Sequence, residues 1–395
     1  MKGMAAALAV VMAAAGCSPT PAPAQATTPS ATAQAADFER YVGAYRTTAG
    51  DTFVVNGHGH LLNLQDSSFR QLFPTASRDR FTTGPSFGVA APTESEVSFR
   101  MAGARADQLT IRPIGGSGVV ASRLLFKERE VRVPVKDAVL AGTNTEPLTP
   151  APHPGIVIVH GSGYGPRIDY GVWVGLYASL GLTVLAYDKR GNGVSTGVYP
   201  GEFASDAALN IYAQDAAAML TFLATWPGVD PKGVGFHAGS QGGWVAPLAI
   251  GRYQAPAAFA IMVSCPAVTV AQQQVWADFS SGSSLLPTDS PADMDAQVRQ
   301  TTSSGYVPST VLADLHQPML WFNGAVDRQV PTTVNAEILR SLHHANWAIV
   351  IAAGVDHGLF ENPTGLEPDQ PKAVRLAVGL WDTIANWLRA GGISS

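Results

Sequence analysis

The residues of this sequence with the clearest chemical potential surround Ser240. The stretch Gly233 to Trp244 reads GVGFHAGSQGGW, in which a short apolar run leads through small residues and a serine into helical spacing. A strand, a sharp turn carrying a serine and a helix form a nucleophile elbow. Small residues permit the strained turn that exposes the hydroxyl, and the N-terminus of the following helix favours developing negative charge. The stretch therefore predicts Ser240 as a catalytic nucleophile.

A serine hydroxyl becomes a good nucleophile when a base removes its proton and a carboxylate orients that base. Asp327 follows the apolar run Met319–Phe322. His357 follows the apolar run Ala348–Ala352. Both side chains lie in loops that leave the carboxyl end of a predicted strand, as the serine turn does, so we predict Asp327 as the acid and His357 as the base. Asp356 is the competing acid, but a residue directly before the histidine is poorly placed to reach its ring.

The same reaction needs N–H donors for the oxyanion of the tetrahedral intermediate. The elbow itself supplies the backbone N–H of Gln241. A second donor is expected from the loop HGSGYG that follows the first parallel strand, where Ser162 and Gly163 are both candidates. A glycine-rich loop after a strand can also bind phosphate, but neither the G-x-G-x-x-G nor the G-x-x-x-x-G-K-[ST] pattern is present in this loop.

Apolar runs of strand length alternate with helical patterns from Gly155 onwards. Strands buried on both faces and separated by helices predict a mostly parallel α/β sheet with helices on both faces. Such a sheet carries its site at the carboxyl ends of its strands. Helices are expected at about residues 170–180, 204–223, 334–342 and 373–388, with Asp215 on a solvated or capping face.

The segment from about residue 265 to 315 interrupts this alternation, because it is irregular and polar. It lies between two predicted sheet strands and must therefore emerge near the carboxyl edge. We interpret it as a small cap over the site, and a surface loop is the alternative interpretation. Cys265, which follows an apolar run, is expected to be a buried thiol.

Residues 38–128 show short alternating runs separated by Gly and Asn turns, which predict a small antiparallel β-rich accessory domain. The catalytic domain is then expected to cover residues 129–395. His58 and His60 have the spacing of metal ligands, but no further ligand cluster accompanies them. A solvated hairpin turn is the better interpretation of this pair, and no metal site is predicted.

The N-terminus has the features of an export signal. Lys2 precedes an apolar run that is too short for a transmembrane helix and ends in AAGC at Cys17. We therefore expect a signal peptide at residues 1–17 and lipidation of Cys17, which would tether the protein to a membrane; simple export is the alternative. Residues 18–37, rich in Ser, Thr, Pro and Ala, predict a disordered linker. The protein is expected to be a periplasmic or cell-surface lipoprotein, or otherwise secreted.

The overall charge argues against nucleic acid as a partner. The 395 residues carry a formal charge of −5, and only 14% of them are charged. Nucleic-acid-binding domains normally show a basic patch or stripe, and none is visible here. A small-molecule substrate is the expected partner.

Five motifs occur in an order that resembles the α/β-hydrolase family. They are VIVHGSG, AYDKRGNGVSTG, AGSQGG, WFNGAVDRQVP and GVDHG. The resemblance extends from about Val131 to Leu388 and is strongest to bacterial esterases and serine-aminopeptidase-like members. It implies the α/β-hydrolase fold, a Ser240–His357–Asp327 triad, no metal and no cofactor. Two departures are Ala238, where the family usually has glycine, and Gly239, where it usually has a bulkier residue.

The residues and the resemblance together predict a serine hydrolase that acts on carboxylic esters. A peptidase acting on short peptides is the first alternative, because the predicted cap offers carboxylates that could hold a free amine: Asp278, Asp289, Asp293 and Asp295. The alternative from another class is an inactive hydrolase fold that serves as a surface binding protein. Ala238 is the feature that favours this second alternative, through the strain that its methyl group is expected to add to the elbow.

Overall fold

Two β-sheets, formed one after the other along the chain, organise the molecule. The computed structural model describes residues 38–201, 204–282, 284–287 and 289–394. The predicted signal peptide, the predicted linker and Cys17 lie outside these residues. Within the described segments, no helix is both long enough and apolar enough to cross a lipid bilayer.

The first sheet is antiparallel. Its strands are β1 (Gly43–Arg46), β2 (Thr52–Val55), β3 (His60–Asn63), β4 (Phe69–Gln71), β5 (Phe73–Pro74), β6 (Arg80–Thr83), β7 (Ser95–Ala102), β8 (Arg105–Pro113) and β9 (Val119–Arg123). They are arranged in the order β4-β3-β2-β1-β9-β8-β7-β6-β5. Only Leu72 separates the two outer strands, β4 and β5, along the chain, so the sheet must curve until its edges lie side by side. The sheet encloses a separate apolar core that includes Tyr45, Leu72, Phe99 and Leu109.

The turn between β2 and β3 corrects the expectation of a solvated histidine pair. His60 is buried, and its ring lies 5.3 Å from that of Phe69 and 4.9 Å from that of Phe87. Burial, reinforced by the neighbouring His58, lowers the pKa of His60 to about 3. His58 Nε2 lies 2.9 Å from Asp169 Oδ1, in the segment before the first long helix. Local spacing could not reveal partners that come from other parts of the fold.

The second sheet is mixed and mostly parallel, as predicted. Its strands are β10 (Phe126–Val135), β11 (Ala138–Pro147), β12 (His153–Val159), β13 (Thr183–Tyr187), β14 (Val229–Gly239), β15 (Phe259–Val263), β16 (Met319–Gly324) and β17 (Trp347–Ala352). They follow the order β10-β11-β13-β12-β14-β15-β16-β17, and every pair from β13 to β17 is parallel. β10 begins before the predicted domain boundary at residues 128/129.

Helices cover both faces of this sheet. They are α1 (Gly171–Ser179), α2 (Asp206–Ala224), α3 (Gly242–Gly251), α4 (Val270–Phe279), α5 (Pro291–Gln300), α6 (Pro308–Leu312), α7 (Thr332–Ser341) and α8 (Leu380–Ala390). Successive side chains of a strand point to opposite faces. In β12, Val157 and Val159 accordingly pack with α2 and α3, whereas Ile156 and Ile158 pack with α1 and α8. The uninterrupted apolar runs of the sequence therefore reflect burial on both sides.

The helix predicted at residues 373–388 is shorter than expected, because α8 covers only its later part. The backbone before α8 bonds to other segments instead of to itself. The Leu376 N–H donates to Ser67 O at 2.9 Å, and the Ala377 N–H donates to Leu359 O at 2.8 Å. This stretch therefore links the antiparallel sheet to the loop that follows β17.

The segment predicted to form a cap, residues 265–315, contains α4, α5 and α6. Trp276 Nε1 in α4 donates to Asp327 O at 3.1 Å, and Ser280 Oγ donates to Arg328 O at 2.7 Å. The segment therefore packs on the loop that carries the predicted acid. A small apolar core supports it, made of Val268, Trp276, Met294 and Val298 together with Val334 of α7.

Candidate active site

Ser240 lies in the sharp turn between β14 and α3, and its φ is 47°. A residue other than glycine is strained in this left-handed region and stays there only when its surroundings hold it. Here the Ser240 N–H donates to Val263 O at 3.1 Å, and the Gly243 N–H donates to Ser240 O at 2.7 Å. A Cβ on Gly243 would lie 2.7 Å from Cys265 Cβ, so only glycine fits there without a shift. The turn has the geometry of a nucleophile elbow.

Ala238 is accommodated in this elbow by the glycine on the other side of the serine. Ala238 is fully buried, and a Cβ built on Gly242 would lie 3.1 Å from the Ala238 Cβ and 3.0 Å from Val159 O. The methyl group of Ala238 therefore takes up space that Gly242 leaves open. The left-handed backbone in this stretch belongs to Ser240 and not to Ala238, so the strain expected at Ala238 is absent from its backbone.

The structure brings Ser240, His357 and Asp327 together in one row of hydrogen bonds. Ser240 Oγ lies 3.0 Å from His357 Nε2, and His357 Nδ1 lies 2.7 Å from Asp327 Oδ2. The histidine and the aspartate are buried, whereas the serine is partly exposed. A nucleophile, a base and an orienting carboxylate stand in this relation in serine hydrolases.

The second oxygen of Asp327 is also held. Asp327 Oδ1 accepts hydrogen bonds from the N–H groups of Gln329, at 2.7 Å, and Val330, at 2.8 Å. Both carboxylate oxygens therefore have donors, and the carboxylate has one fixed orientation toward the imidazole. A buried carboxylate needs such donors to remain charged.

Asp356, the competing acid, is bonded elsewhere. Its Oδ1 accepts from the Phe360 N–H at 2.9 Å. Its Oδ2 accepts from Asn362 Nδ2 at 3.0 Å and from Gln370 Nε2 at 2.9 Å. Burial raises the pKa of Asp356 to about 6, although these three donors oppose the shift. This carboxyl group fixes the loop that follows β17, and the aspartate beside the imidazole is Asp327.

Two neighbours determine the position and charge of His357. Burial by itself lowers the pKa of His357, but the charge and hydrogen bond of Asp327, together with the charges of Asp356 and Glu367, outweigh burial and raise the pKa above the ordinary 6.5. Ser264 Oγ donates to the backbone oxygen of His357 at 2.8 Å, and Ser264 itself has a φ of 50°. Ser264 is not among the predicted site residues, although its place directly after β15 could have indicated it.

The loop HGSGYG is fixed at two points. The Gly161 N–H donates to Tyr170 Oη at 3.1 Å, and the Gly165 N–H donates to Asn192 Oδ1 at 2.8 Å. These two N–H groups already have partners within the protein. Neither of them is therefore a candidate donor to an oxyanion.

The N–H groups of Ser162, Gly163 and Tyr164 remain as candidates, since none of them has a hydrogen-bond partner among the described residues. The structure thus retains both predicted loop donors and adds Tyr164, which the sequence analysis did not consider. Gln241, the other predicted donor, directly precedes α3 and follows Ser240. Its N–H therefore belongs to the helix N-terminus, where negative charge is favoured.

The turn after β13 contains a residue of a buried ion pair. Arg190 Nη2 and Nε donate to the two oxygens of Asp215, at 2.6 and 2.9 Å. Asp215 is buried, so the expectation of a solvated or capping position is wrong. The helix turns this carboxylate toward Arg190, and its small apolar neighbours Ala213, Ala216 and Ala217 were the signal that this face of α2 is buried.

Solved structures of hydrolases are similar to this chain over about two thirds of its length. An esterase from Pyrococcus furiosus aligns at 15% identity with a TM-score of 0.47, covering 67% of this chain and 93% of that one. A dienelactone hydrolase from Anabaena variabilis aligns at 14% identity with a TM-score of 0.43, covering 67% and 98%. A dienelactone hydrolase-like promiscuous phosphotriesterase from metagenomic libraries aligns at 16% identity with a TM-score of 0.44, with the same coverage.

No family model matches the chain, and no curated protein sequence matches it. The fold follows from the observed topology. A mostly parallel sheet with helices on both faces carries a serine on a sharp turn between a central strand, β14, and the following helix, α3. In chain order the serine is followed by an aspartate and then a histidine, each after a later strand of the same sheet. This chain therefore has the fold of the α/β hydrolases.

Proposed function

We propose that this protein is a serine hydrolase that cleaves carboxylic esters through an acyl-enzyme intermediate. The observation that carries the proposal is the hydrogen-bonded row in which His357 lies 3.0 Å from the Ser240 hydroxyl and 2.7 Å from the Asp327 carboxylate. A fold alone does not assign an activity, whereas a nucleophile, a base and an orienting acid at bonding distance support one.

In the proposed reaction, Ser240 Oγ attacks the ester carbonyl carbon while His357 Nε2 takes the hydroxyl proton. The carbonyl π electrons move to oxygen and form the oxyanion. When the oxyanion collapses, the bond to the alcohol oxygen breaks and His357 returns the proton to the leaving alcohol. Water then attacks the acyl-enzyme with the same base, releasing the acid and restoring Ser240. Asp327 stabilises the imidazolium formed in each half-reaction.

The oxyanion is proposed to bind between the elbow and the HGSGYG loop. The Gln241 N–H is the proposed donor from the elbow, and Ser162 or Gly163 is the proposed donor from the loop. Their support is the observation that the flanking loop N–H groups, at Gly161 and Gly165, are already bonded within the protein, which leaves Tyr164 as the third open candidate. Each such donor typically contributes about 10²- to 10³-fold to kcat.

The cap carboxylates give no specific support to a peptidase. Asp278 accepts from Gln274 at 2.9 Å and Asp293 accepts from Ser290 at 2.6 Å, but both residues are exposed, Asp289 is partly exposed and Asp295 is buried. A peptidase that holds a free amine needs a carboxylate beside the nucleophile, and these hydrogen bonds do not connect either exposed carboxylate to Ser240, His357 or Asp327. Neither the peptidase nor the inactive binding protein has a comparable observation in its favour.

We further propose that residues 265–315 form a cap that shapes the acyl or alcohol subsite, because α4 packs on the Asp327 loop. The N-terminal β-rich region is proposed to be a domain that accompanies the catalytic one.

Export and lipid tethering at Cys17 are proposed from the sequence alone. Retention of Cys17→Ser in the detergent-soluble membrane fraction, at the level of the wild type, would contradict the lipid anchor.

The test is hydrolysis of a panel of chromogenic esters and aminoacyl amides by the wild type and by Ser240→Ala. We expect ester hydrolysis by the wild type, little or no amide hydrolysis, and loss of activity in the variant. A fluorophosphonate probe should label the wild type and leave Ser240→Ala unlabelled. Absence of both turnover and labelling in the wild type would overturn the proposed activity. Turnover that survives in Ser240→Ala would overturn the site.

A further inference from the structure

Lys189 is a buried cation beside the HGSGYG loop. Its residue is 4% exposed. Its Nζ donates to Gly161 O at 2.6 Å and to Gly163 O at 3.1 Å, and it approaches Gln241 Oε1 at 3.4 Å. The Nζ also lies 4.8 Å from the centre of the Tyr212 ring, a favourable place for a cation. The proposed esterase mechanism gives Lys189 no role.

These contacts join the two segments that carry the proposed oxyanion donors. Gly161 and Gly163 belong to the loop after β12, whereas Gln241 follows the nucleophile. Burying an ammonium group is costly unless it is hydrogen-bonded, and an ammonium group has three donor hydrogens. The structure places oxygen acceptors from both segments around this one ammonium group, so Lys189 connects them at a single point.

The direction of the two loop carbonyls determines the direction of the neighbouring N–H groups. In a planar trans peptide the C=O and the following N–H point in opposite directions. The Gly161 and Gly163 carbonyls point toward Lys189, so the N–H groups of Ser162 and Tyr164 point away from it. Gly163 has a φ of 79°, which shows that the loop contains a backbone turn that glycine permits easily.

Without Lys189, these peptides would be free to rotate. A carbonyl oxygen turned toward the reacting ester would repel the oxyanion, whereas an N–H in the same place would stabilise it. Oxyanion donors are effective because they are fixed before the reaction begins. The ammonium group of Lys189 favours the arrangement in which carbonyl oxygens face the protein interior.

We propose that Lys189 is a positioning residue of the oxyanion hole, which fixes the Gly161 and Gly163 peptides and ties them to the elbow through Gln241. This inference rests on the proposed function, because it concerns the same reaction. Lys189 acts through the backbone of the loop, and the donor that it orients most directly is the Ser162 N–H. Between the two loop donors left open by the sequence, Lys189 thus favours Ser162.

The test compares Lys189→Met with the double variant Arg190→Met/Asp215→Leu. Methionine keeps the length of the side chain and removes the charge and the donors. The double variant removes the neighbouring buried ion pair of the same turn without leaving a charge unpaired. The side-chain hydrogen bonds of that pair do not include the HGSGYG loop, although Asp215 lines the same small cavity as Lys189, His160 and Gln241. Active sites are counted with a fluorophosphonate titrant, so that kcat refers to folded, reactive protein.

We expect Lys189→Met to lower kcat per active site by about 10- to 100-fold and to leave KM nearly unchanged. This decrease in kcat should not exceed the decrease caused by removing one oxyanion donor. The affinity for a trifluoromethyl ketone, whose serine adduct carries an oxyanion, should fall by the same factor as kcat/KM. The double variant should lose clearly less kcat per site than Lys189→Met, because the hydrogen bonds that it removes do not reach the loop. A purely structural role for Lys189 would reduce the number of active sites and leave kcat and the inhibitor affinity unchanged.

Two further variants cover the case in which Lys189→Met does not fold. Lys189→Gln keeps one donor group, and Gln241→Leu removes the acceptor on the elbow side while keeping the Gln241 N–H. Both should show a smaller loss of kcat and of ketone affinity in the same proportion. Wild-type kcat in these variants would overturn the role of Lys189 while leaving the esterase proposal intact. A wild type without turnover or labelling would overturn the esterase proposal itself.

Discussion

His357 Nδ1 lies 2.7 Å from Asp327 Oδ2, although the two residues are 30 positions apart and another aspartate directly precedes the histidine. This contact fixes the imidazole with Nε2 toward Ser240. We therefore expect Asp327→Asn to lower kcat by about 10³- to 10⁴-fold, because an amide at this site favours the wrong tautomer and does not stabilise the imidazolium. Steady-state kinetics on the best ester of the panel measure the effect. Near wild-type turnover in this variant would show that Asp327 is not the orienting acid.

The pH dependence of kcat/KM should report the raised pKa of His357. Burial lowers this pKa, but Asp327, as the main opposing group, acts together with Asp356 and Glu367 and brings it above 6.5. The imidazole is the active base only when it is neutral, so activity should rise with pH and reach half of its plateau above pH 6.5. In Asp327→Asn the opposing carboxylate is gone and burial remains, so the midpoint of the residual activity should move to lower pH. A midpoint that stays in place would assign the acidic limb to another group.

The pair formed by Ala238 and Gly242 leads to a prediction about the unusual elbow. Ala238→Gly removes a buried methyl group and should lower the free energy of unfolding by about 1–2 kcal/mol, with kcat close to the wild type. Gly242→Ala places a methyl group 3.1 Å from the Ala238 Cβ and should reduce both stability and kcat. Combining the two changes should restore part of the loss. If the effects of Ala238→Gly and Gly242→Ala on stability simply add in the double variant, residues 238 and 242 do not compete for the same space.

The connection between β6 and β7 contacts the loop that carries His357, so a change in this connection should reach the proposed base. The Phe87 ring lies 4.9 Å from the Phe360 ring, and the Phe87 N–H donates to Ala373 O at 2.7 Å. Phe87→Ala should therefore lower kcat by loosening the loop that follows β17. Urea unfolding and kcat are measured on the same preparations.

Phe99→Ala is the matched control for this change, because Phe99 packs in the separate core of the antiparallel sheet. It should lower stability by about 3–5 kcal/mol and leave kcat per active site unchanged. Equal effects of the two variants on kcat would show that the sheet acts through overall stability and not through its contact with the base loop.

Much of this architecture could be predicted from the sequence, because the information is local. Uninterrupted apolar runs identified the buried strands of the second sheet. The loops after β16 and β17 identified Asp327 and His357, since topology alone brings the carboxyl ends of parallel strands to one edge. Chain order and fold thus indicated the proposed acid and base without any knowledge of side-chain contacts.

The features that could not be predicted depend on distant partners. The alanines around Asp215 indicate a buried face of α2, but nothing near it in the chain shows that its partner is Arg190. Residues before α8 have a helical pattern, but Ser67 and Leu359 accept the hydrogen bonds that a helix would need. The choice among the loop donors likewise depends on Lys189, whose contacts come from tertiary structure. The local sequence shows which charged and hydrogen-bonding groups are present, whereas tertiary packing determines which partners they bond to.

Asp356 leads to a prediction about the pH dependence of stability, and not about catalysis. Burial raises its pKa from 3.8 in the ordinary state to about 6 in the folded protein. Below pH 3.8 the carboxyl is protonated in both the folded and the unfolded chain, so it imposes no penalty on folding. As the pH rises toward 6, the unfolded chain loses the proton while the folded chain keeps it. The contribution of Asp356 to stability is therefore present at low pH and is lost as the pH passes through about 6.

Asp356→Asn removes this titration. The free energy of unfolding of the variant, minus that of the wild type, should increase by about 2–3 kcal/mol between pH 4 and pH 7, because only the wild type loses stability there. Urea unfolding at several pH values measures this difference, in which the other titrating groups largely cancel. The variant should also retain most of its ester hydrolysis, in contrast to Asp327→Asn, since Asp327, and not Asp356, contacts the imidazole. A difference that does not change with pH would mean that Asp356 is ionised in the folded protein throughout this range, held so by its three donors in spite of burial.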